Sequence, residues 1–288
     1  MIEGTFLERM SDPHVAGRRA LLEAGPVLPA PSAPVRAASA EGFPRAAEAE
    51  IRDDLRARGL AVVQLDEPVP ADRFLALGRL LGTAMPETDP AVQPQVEQQV
   101  ILHLVSRHGH TRDVALQPFA TQALTLHTES SARPAAAQPR YIVLMCRDPG
   151  DDATAAQTVL VPMAEVRARI TPEQLALLAS TRYRNSASVP FIVRHEEGRV
   201  VFSFRDFHEH PLDWAHAAPD AAADDVNGAL RGLLAAMYAP EGATGIHWNR
   251  GMLVIMDNTF HFHGRTAGAV NPSSRPRHLQ RLRIIAPP

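Results

Sequence analysis

Tyr141-Ile142-Val143-Leu144-Met145-Cys146 is an unbroken apolar run, closed on its C-terminal side by Arg147-Asp148-Pro149-Gly150. It is too short for a buried helix and too continuous for a half-exposed strand, so it reads as a strand covered on both faces. Working outward, similar segments recur at 99–105, 158–161, 189–194, 200–204, 252–256 and 278–284, each rich in Val, Ile, Leu or aromatic residues. Helical patterns are fewer. Residues 48–58 end at Gly59 and 72–81 at Gly82, with a strand at 61–65 between them. Thr171-Pro172-Glu173-Gln174 opens another helix with an N-cap threonine and a first-turn proline, and 220–238 is a long alanine-rich helical segment. Many short strands without a regular strand–helix alternation predict a mainly β fold with flanking helices (α+β), a sandwich or a jelly roll in place of a doubly wound sheet. Ahead of it, Gly25 to Pro34 is dominated by proline and alanine and cannot sustain regular backbone hydrogen bonding. Residues 1–45 are therefore expected to form an N-terminal arm with a Pro/Ala-rich linker, and 46–288 a single jelly-roll domain.

Composition removes whole classes of chemistry. All 29 basic residues counted as Lys+Arg are arginine, and lysine is absent. Schiff-base catalysis, pyridoxal phosphate attachment and a P-loop phosphate cradle each require a lysine and are excluded. The net charge is -3 with no basic block, which disfavours a nucleic-acid partner or a polybasic membrane anchor and favours a small-molecule substrate. Cys146 is the single cysteine, so an intrachain disulfide, a four-cysteine zinc site and a thiolate-held iron–sulfur cluster are excluded as well. Its apolar surroundings predict a buried structural thiol. The N-terminus lacks the basic-then-apolar pattern of a signal peptide and no apolar run approaches about 18 residues, so a cytoplasmic protein is expected. Oligomeric state is not legible.

A jelly roll commonly holds a metal in its interior, which directs attention to the 13 histidines. His127-Thr128-Glu129 places two ligating side chains two residues apart, on one side of an extended segment. Such pairs also arise by chance, and His195-Glu196-Glu197, in the predicted turn Glu196-Glu197-Gly198-Arg199, is a decoy whose plain reading is a solvated hairpin tip. The first pair gains weight from the far end of the chain. There the buried run Met252–Met256 leads into Asp257-Asn258 and then His261-Phe262-His263-Gly264-Arg265. Two histidines and one carboxylate on one face of an octahedron form the ligand set of non-haem Fe(II) oxygenases, although some zinc hydrolases use the same donors. Arg281, on the last apolar strand 18 residues beyond His263, tips the choice. An inward-facing arginine on a buried strand needs an anion, and a dicarboxylate cosubstrate supplies one.

With these residues in place, the chain from about Leu55 to Ile285 resembles the clavaminate synthase-like and taurine dioxygenase-like Fe(II)/2-oxoglutarate oxygenases. Leu126-His127-Thr128-Glu129 followed by Tyr141–Pro149 resembles the hydroxylases of free amino acids, and Asp257-Asn258, His263-Gly264-Arg265 and Leu279-Gln280-Arg281 resemble the family's C-terminal signature. The resemblance implies that His127, Glu129 and His263 bind Fe(II), and that Arg281 holds the distal carboxylate of 2-oxoglutarate with help from the Thr158 hydroxyl. O2 would take the remaining iron position, and decarboxylation to succinate and CO2 would drive hydrogen abstraction from the substrate. His261 shares the strand face of His263 and is the alternative ligand; the interval from Asp257-Asn258 and the following Gly-Arg favour His263. Related halogenases carry a small residue in place of the carboxylate, so Glu129 argues for hydroxylation, or for desaturation or cyclisation by the same abstraction. The resemblance thus implies an oxygenase that hydroxylates an unactivated C–H bond of an amino acid or a derived small molecule, in natural-product biosynthesis. Cleavage of a taurine-like sulfonate and a non-catalytic metal-binding jelly roll are the alternatives. For the substrate, Arg277, four residues before Arg281, is the candidate for an acid group and Asp206 for an amino group, with Gln99 (or Gln98) and Ser130 (or Ser131) as further polar contacts. His103, His108 and His110 read as a polar loop.

Overall fold

The computed structural model describes residues 1–107, 109–151, 156–184, 188–208, 210–239, 241–268 and 274–286. The apolar run Tyr141–Cys146 forms most of the strand Tyr141–Asp148, which lies near the middle of the largest sheet. Across that sheet the order is Val35–Ala38, Leu60–Leu65, Met252–Asp257, Tyr141–Asp148, His278–Ile285, Ile101–Val105 and Val96–Glu97, with Thr83–Ala84 pairing off the path onto His278–Ile285. A second sheet runs Thr244–Ile246, Thr158–Pro162, His261–Arg265 and Leu124–His127. Every pairing in the two is antiparallel except Val35–Ala38 against Leu60–Leu65.

The continuous apolar runs have a direct structural cause. Successive side chains on a strand point to opposite faces, and both faces here are covered. Ile142, Leu144, Cys146, Val254, Met256 and Leu60 join Leu160 and Ile246 of the second sheet, so this layer packs the two sheets face to face. Val143, Met145, Leu253, Ile255, Ala61 and Val63 turn the other way. They pack beneath the helices Glu48–Arg58 and Ala71–Leu81 through Ile51, Leu55, Phe74 and Leu77. The predicted stop at Gly59 is a left-handed cap with φ 64°, where Phe260 also crosses so closely that a Cβ would sit 2.2 Å from its ring. The capping box of Thr171 and Gln174 forms as expected and opens the helix Pro172–Leu178.

Parts of residues 1–45 pair with and pack onto the rest of the chain. Ile2–Phe6 is an edge strand of a third sheet, paired with Leu212–His216, which in turn pairs with Thr181–Tyr183. Gly4 makes that pairing possible, since a Cβ there would lie 2.3 Å from the Trp214 ring. Phe6, Leu21, Leu22 and Leu28 join the largest buried cluster, on the helix Ala223–Met237. The proline stretch, poor in donors, docks through its carbonyls. Pro26 accepts from Gln157 Nε2 and Pro29 from the Gly245 N–H, while Leu28 donates to Gln157 Oε1. A lack of N–H groups prevents a ladder but not this attachment. Among the described residues, no helix is long and apolar enough to cross a membrane.

Candidate metal centre and its pocket

The second sheet makes the site. His263 on His261–Arg265 lies directly opposite His127 on Leu124–His127, and the two imidazole centroids are 4.3 Å apart. Glu129 follows the end of its strand, where Asn258 holds the backbone from both sides: Asn258 Oδ1 accepts from the Glu129 N–H at 2.8 Å and Nδ2 donates to the Glu129 carbonyl at 3.1 Å. Glu129 Oε2 then sits 3.9 Å from His127 Nε2 and 3.8 Å from His263 Nε2. One ligand atom from each residue lies within 4.8 Å of the other two, the one such grouping of His, Cys, Asp and Glu among the described residues.

His127 and Glu129 have the protonation a metal requires. His127 Nδ1 lies 2.8 Å from the Thr125 carbonyl and so carries the proton, which leaves the Nε2 lone pair facing the centre. Burial, with His263 and Arg205 nearby, keeps His127 well below the usual histidine range and therefore neutral. Burial pushes the Glu129 carboxyl up, but Arg281, His263 and Arg283 outweigh it and hold it ionised. His261 is not part of the group. It stacks on Phe260, is pushed down to about 4 by burial with His263 as a second cause, and its Nδ1 is buried without a partner.

The centre opens into a cavity of about 550 Å³. Of the residues singled out in the sequence, Thr158, Arg277, Arg281 and Ser130 line it, whereas Gln99 and Asp206 do not. Gln99 has φ 66° and an exposed side chain; its contribution is its carbonyl, which accepts from the Glu87 N–H. Asp206 is 3% exposed and already saturated. It accepts from Arg18 Nε and Nη2 at 2.6 and 2.9 Å and from the Tyr238 hydroxyl at 2.6 Å, so no carboxylate remains for a substrate amine. Ser131 is likewise turned away, within reach of the Tyr183 hydroxyl. Glu196 and Glu197 of the decoy fold back onto Arg140, leaving His195 exposed. His108 lies outside the described residues.

Arg277, just before the last strand His278–Ile285, and Arg281, on it, differ in a way the sequence does not reveal. Arg281 is charge-compensated: Nη2 donates to Glu87 Oε1 at 2.9 Å and Nη1 lies 3.7 Å from Glu129 Oε1. Arg277 has no carboxylate partner among the described residues. Nη1 donates only to the Ala156 carbonyl, two residues before Thr158, and Nε is buried without a partner. Burial pushes Arg277 down to about 10 and Arg265, with Arg277 as its second cause, down to about 9. Arginine keeps its proton in proteins, so both remain buried cations, Arg277 with a hydrogen bond to the Ala156 carbonyl and Arg265 with several to backbone carbonyls. The Thr158 hydroxyl accepts from Trp248 Nε1 at 3.2 Å, which leaves its own proton free to donate, and Thr158 lines the same cavity. Arg265 faces Thr158 across the strand pair and staples the segment below it by donating to the carbonyls of Pro118, Ala120 and Gln122.

Sequence reading missed Glu87, Arg205 and Arg283 as lining residues. Arg283 carried a usable signal, since it stands two residues after Arg281 and shares its strand face. Glu87 lies in a loop without periodicity and carried none.

A model of the taurine catabolism dioxygenase TauD, TfdA family matches residues 29–283. No curated protein matches the chain by sequence. Among solved structures, PvcB from Pseudomonas aeruginosa superposes with a TM-score of 0.60 at 21% identity, over 82% of this chain and 79% of that one. Asparagine oxygenase in complex with Fe(II), 3-hydroxyasparagine and succinate gives 0.61 at 17%, over 85% and 81%. The non-haem iron oxygenase OrfP in complex with Fe and α-ketoglutaric acid gives 0.63 at 16%, over 86% and 82%.

Proposed function

Because the chain belongs to the TauD/TfdA dioxygenase family, we propose that it is an Fe(II)- and 2-oxoglutarate-dependent oxygenase that hydroxylates an unactivated C–H bond of an amino acid or amino-acid-derived small molecule. The face-to-face sheets are read as a double-stranded β-helix with the metal between them. The observation that carries the function is the convergence of His127, Glu129 and His263 at the wall of a cavity that also collects Thr158, Arg277 and Arg281. When bound, Fe(II) with 2-oxoglutarate and O2 supplies the oxidising power, 2-oxoglutarate being decarboxylated to succinate. This chain's residues bind and orient. His127 Nε2, His263 Nε2 and Glu129 Oε2 fit a facial triad, which leaves three positions for the cosubstrate and O2.

The carboxylate roles are exchanged relative to the expectation. Arg277, with its uncompensated charge and with Thr158 nearby, suits the distal carboxylate of 2-oxoglutarate. Arg281, whose Nη1 faces the cavity beside the triad, suits the substrate's carboxylate. The asparagine and arginine products named for the asparagine oxygenase and OrfP structures favour an amino acid over a sulfonate. Ser130, with φ 59° at the cavity wall, is a candidate polar contact.

Anaerobic Fe(II) with 2-oxoglutarate is expected to produce a weak visible charge-transfer band that His127→Ala and Glu129→Ala abolish. A band that survives both substitutions rejects the triad. Substrate-stimulated succinate formation across an amino-acid panel, with identification of a stable alcohol, tests the reaction. Release of sulfite from a sulfonate in its place rejects it.

A further inference from the structure

Glu129 presents its two oxygens to different surroundings. Oε2 faces the histidines, whereas Oε1 accepts from Arg283 Nη1 at 3.3 Å and lies 3.7 Å from Arg281 Nη1. A carboxylate free to swing could chelate a metal through both oxygens and would then occupy a fourth coordination position. The proposed reaction needs three positions, two for a chelating cosubstrate and one for O2, so the second oxygen has to be kept away.

Arg283 is placed to do this, and Glu87 places Arg283. The Glu87 carboxylate, 4% exposed, bridges the two guanidinium groups, Oε1 accepting from Arg281 Nη2 at 2.9 Å and Oε2 from Arg283 Nη2 at 2.7 Å. Arg281 and Arg283 stand two apart on His278–Ile285, so they emerge from one face of the strand. Two adjacent buried cations would otherwise repel, and one bridging carboxylate holds them parallel. Glu87 is itself anchored, its N–H donating to the Gln99 carbonyl and its carbonyl accepting from Gln93 Nε2. With both oxygens engaged, Glu87 is a brace and not a receptor for a substrate ammonium.

We infer that Glu87 and Arg283 are positioning residues that pin Glu129 Oε1, so that Glu129 binds the metal through Oε2 alone and the third open position is preserved. This inference rests on the reading of His127, Glu129 and His263 as an iron triad. Outer partners of metal ligands typically alter affinity by about 10–100-fold when removed.

The test is anaerobic titration of 2-oxoglutarate into the Fe(II)-loaded wild-type protein and into Arg283→Met, Arg283→Lys and Glu87→Gln, with the charge-transfer band as readout. Melting temperature controls for folding. Arg283→Met is expected to raise the apparent Kd for 2-oxoglutarate by about 10–100-fold and to shift the band, because the second Glu129 oxygen then competes with the cosubstrate. Arg283→Lys, which keeps one donor, should recover most of the affinity, and Glu87→Gln should change both readouts in the same direction but less. A folded Arg283→Met with wild-type affinity and an unshifted band overturns the inference. If that variant does not fold, wild-type behaviour of Glu87→Gln overturns it. Absence of any band in the wild type would instead remove the triad, and with it this inference.

Discussion

Arg277 and Arg281 carry the same side chain, four residues apart, and differ in what opposes their charge. Glu87 and Glu129 neutralise Arg281, whereas Arg277 is buried against a backbone carbonyl. An arriving dicarboxylate therefore gains most at Arg277, where it relieves a desolvated cation without displacing an existing partner. Arg277→Gln is expected to raise the apparent Kd for 2-oxoglutarate by about 10–100-fold, the range of a hydrogen bond to a charged group. Arg281→Gln should leave that Kd within a few-fold and lose substrate-stimulated turnover. Titration of the charge-transfer band with 2-oxoglutarate checks both, and the reverse pattern would restore the assignment drawn from sequence. Both line the cavity, although strand parity alone does not carry this, because Arg277 precedes the strand His278–Ile285 and the register shifts between His278 and Leu279. Which member needed an anion was not legible, because the acid that compensates Arg281 lies 194 residues away.

At the scale of elements, the N-terminal segment is wired to the strand that carries His127. Arg18, on the helix Pro13–Arg18, binds Asp206 and Glu8, and Asp206 accepts from Tyr238 at the end of the long helix. The Tyr238 hydroxyl in turn accepts from the Leu126 N–H, and the Asp206 backbone bonds Leu126 and Thr125. Thr125 supplies the carbonyl that fixes the His127 tautomer. Asp206→Ala would strand Arg18 with Glu8 alone and is expected to cost about 3 kcal/mol, the lower end for breaking a buried ion pair. Equilibrium urea denaturation measures it. A loss below about 1 kcal/mol, or an undiminished fold with a selective rise in substrate KM, would return Asp206 to the substrate site. Sequence reading placed Asp206 correctly after its strand but could not know that an apparent arm folds back to claim it. Short edge strands such as Ile2–Phe6 depend on a partner more than on their own pattern.

For the whole molecule, the absence of lysine makes alkaline stability unusually simple. The thiol of Cys146, enclosed between the two sheets, is pushed up by burial from 9.0 to about 12. Burial likewise pushes the Tyr183 hydroxyl from 10.0 up to about 12 and raises that of Tyr238. These groups stay protonated in the fold and ionise at their ordinary values once it opens. Their contribution is therefore fully present below about pH 9 and is lost as pH rises toward 12. The urea midpoint is expected to fall steadily from pH 9 to 11, with Cys146→Ala less stable at neutral pH but showing a shallower slope. A flat profile, or an unchanged slope in that variant, would contradict this account. In most proteins lysine titration would overlie the same window.

What the sequence by itself determined is what local chemistry can encode. Doubly buried runs fixed the central strands, Thr171 and Gly59 fixed helix ends, and His127-Thr128-Glu129 with His263 supplied the donor types for iron. The tertiary structure decided what depends on segments far apart in the chain. It set His263 opposite His127 across a sheet, removed Asp206 from the site through Arg18, and brought Glu87 between Arg281 and Arg283. The division has one physical reason. Periodicity tells a side chain which way to face, but the energy of a buried charge is set by the groups that meet it there.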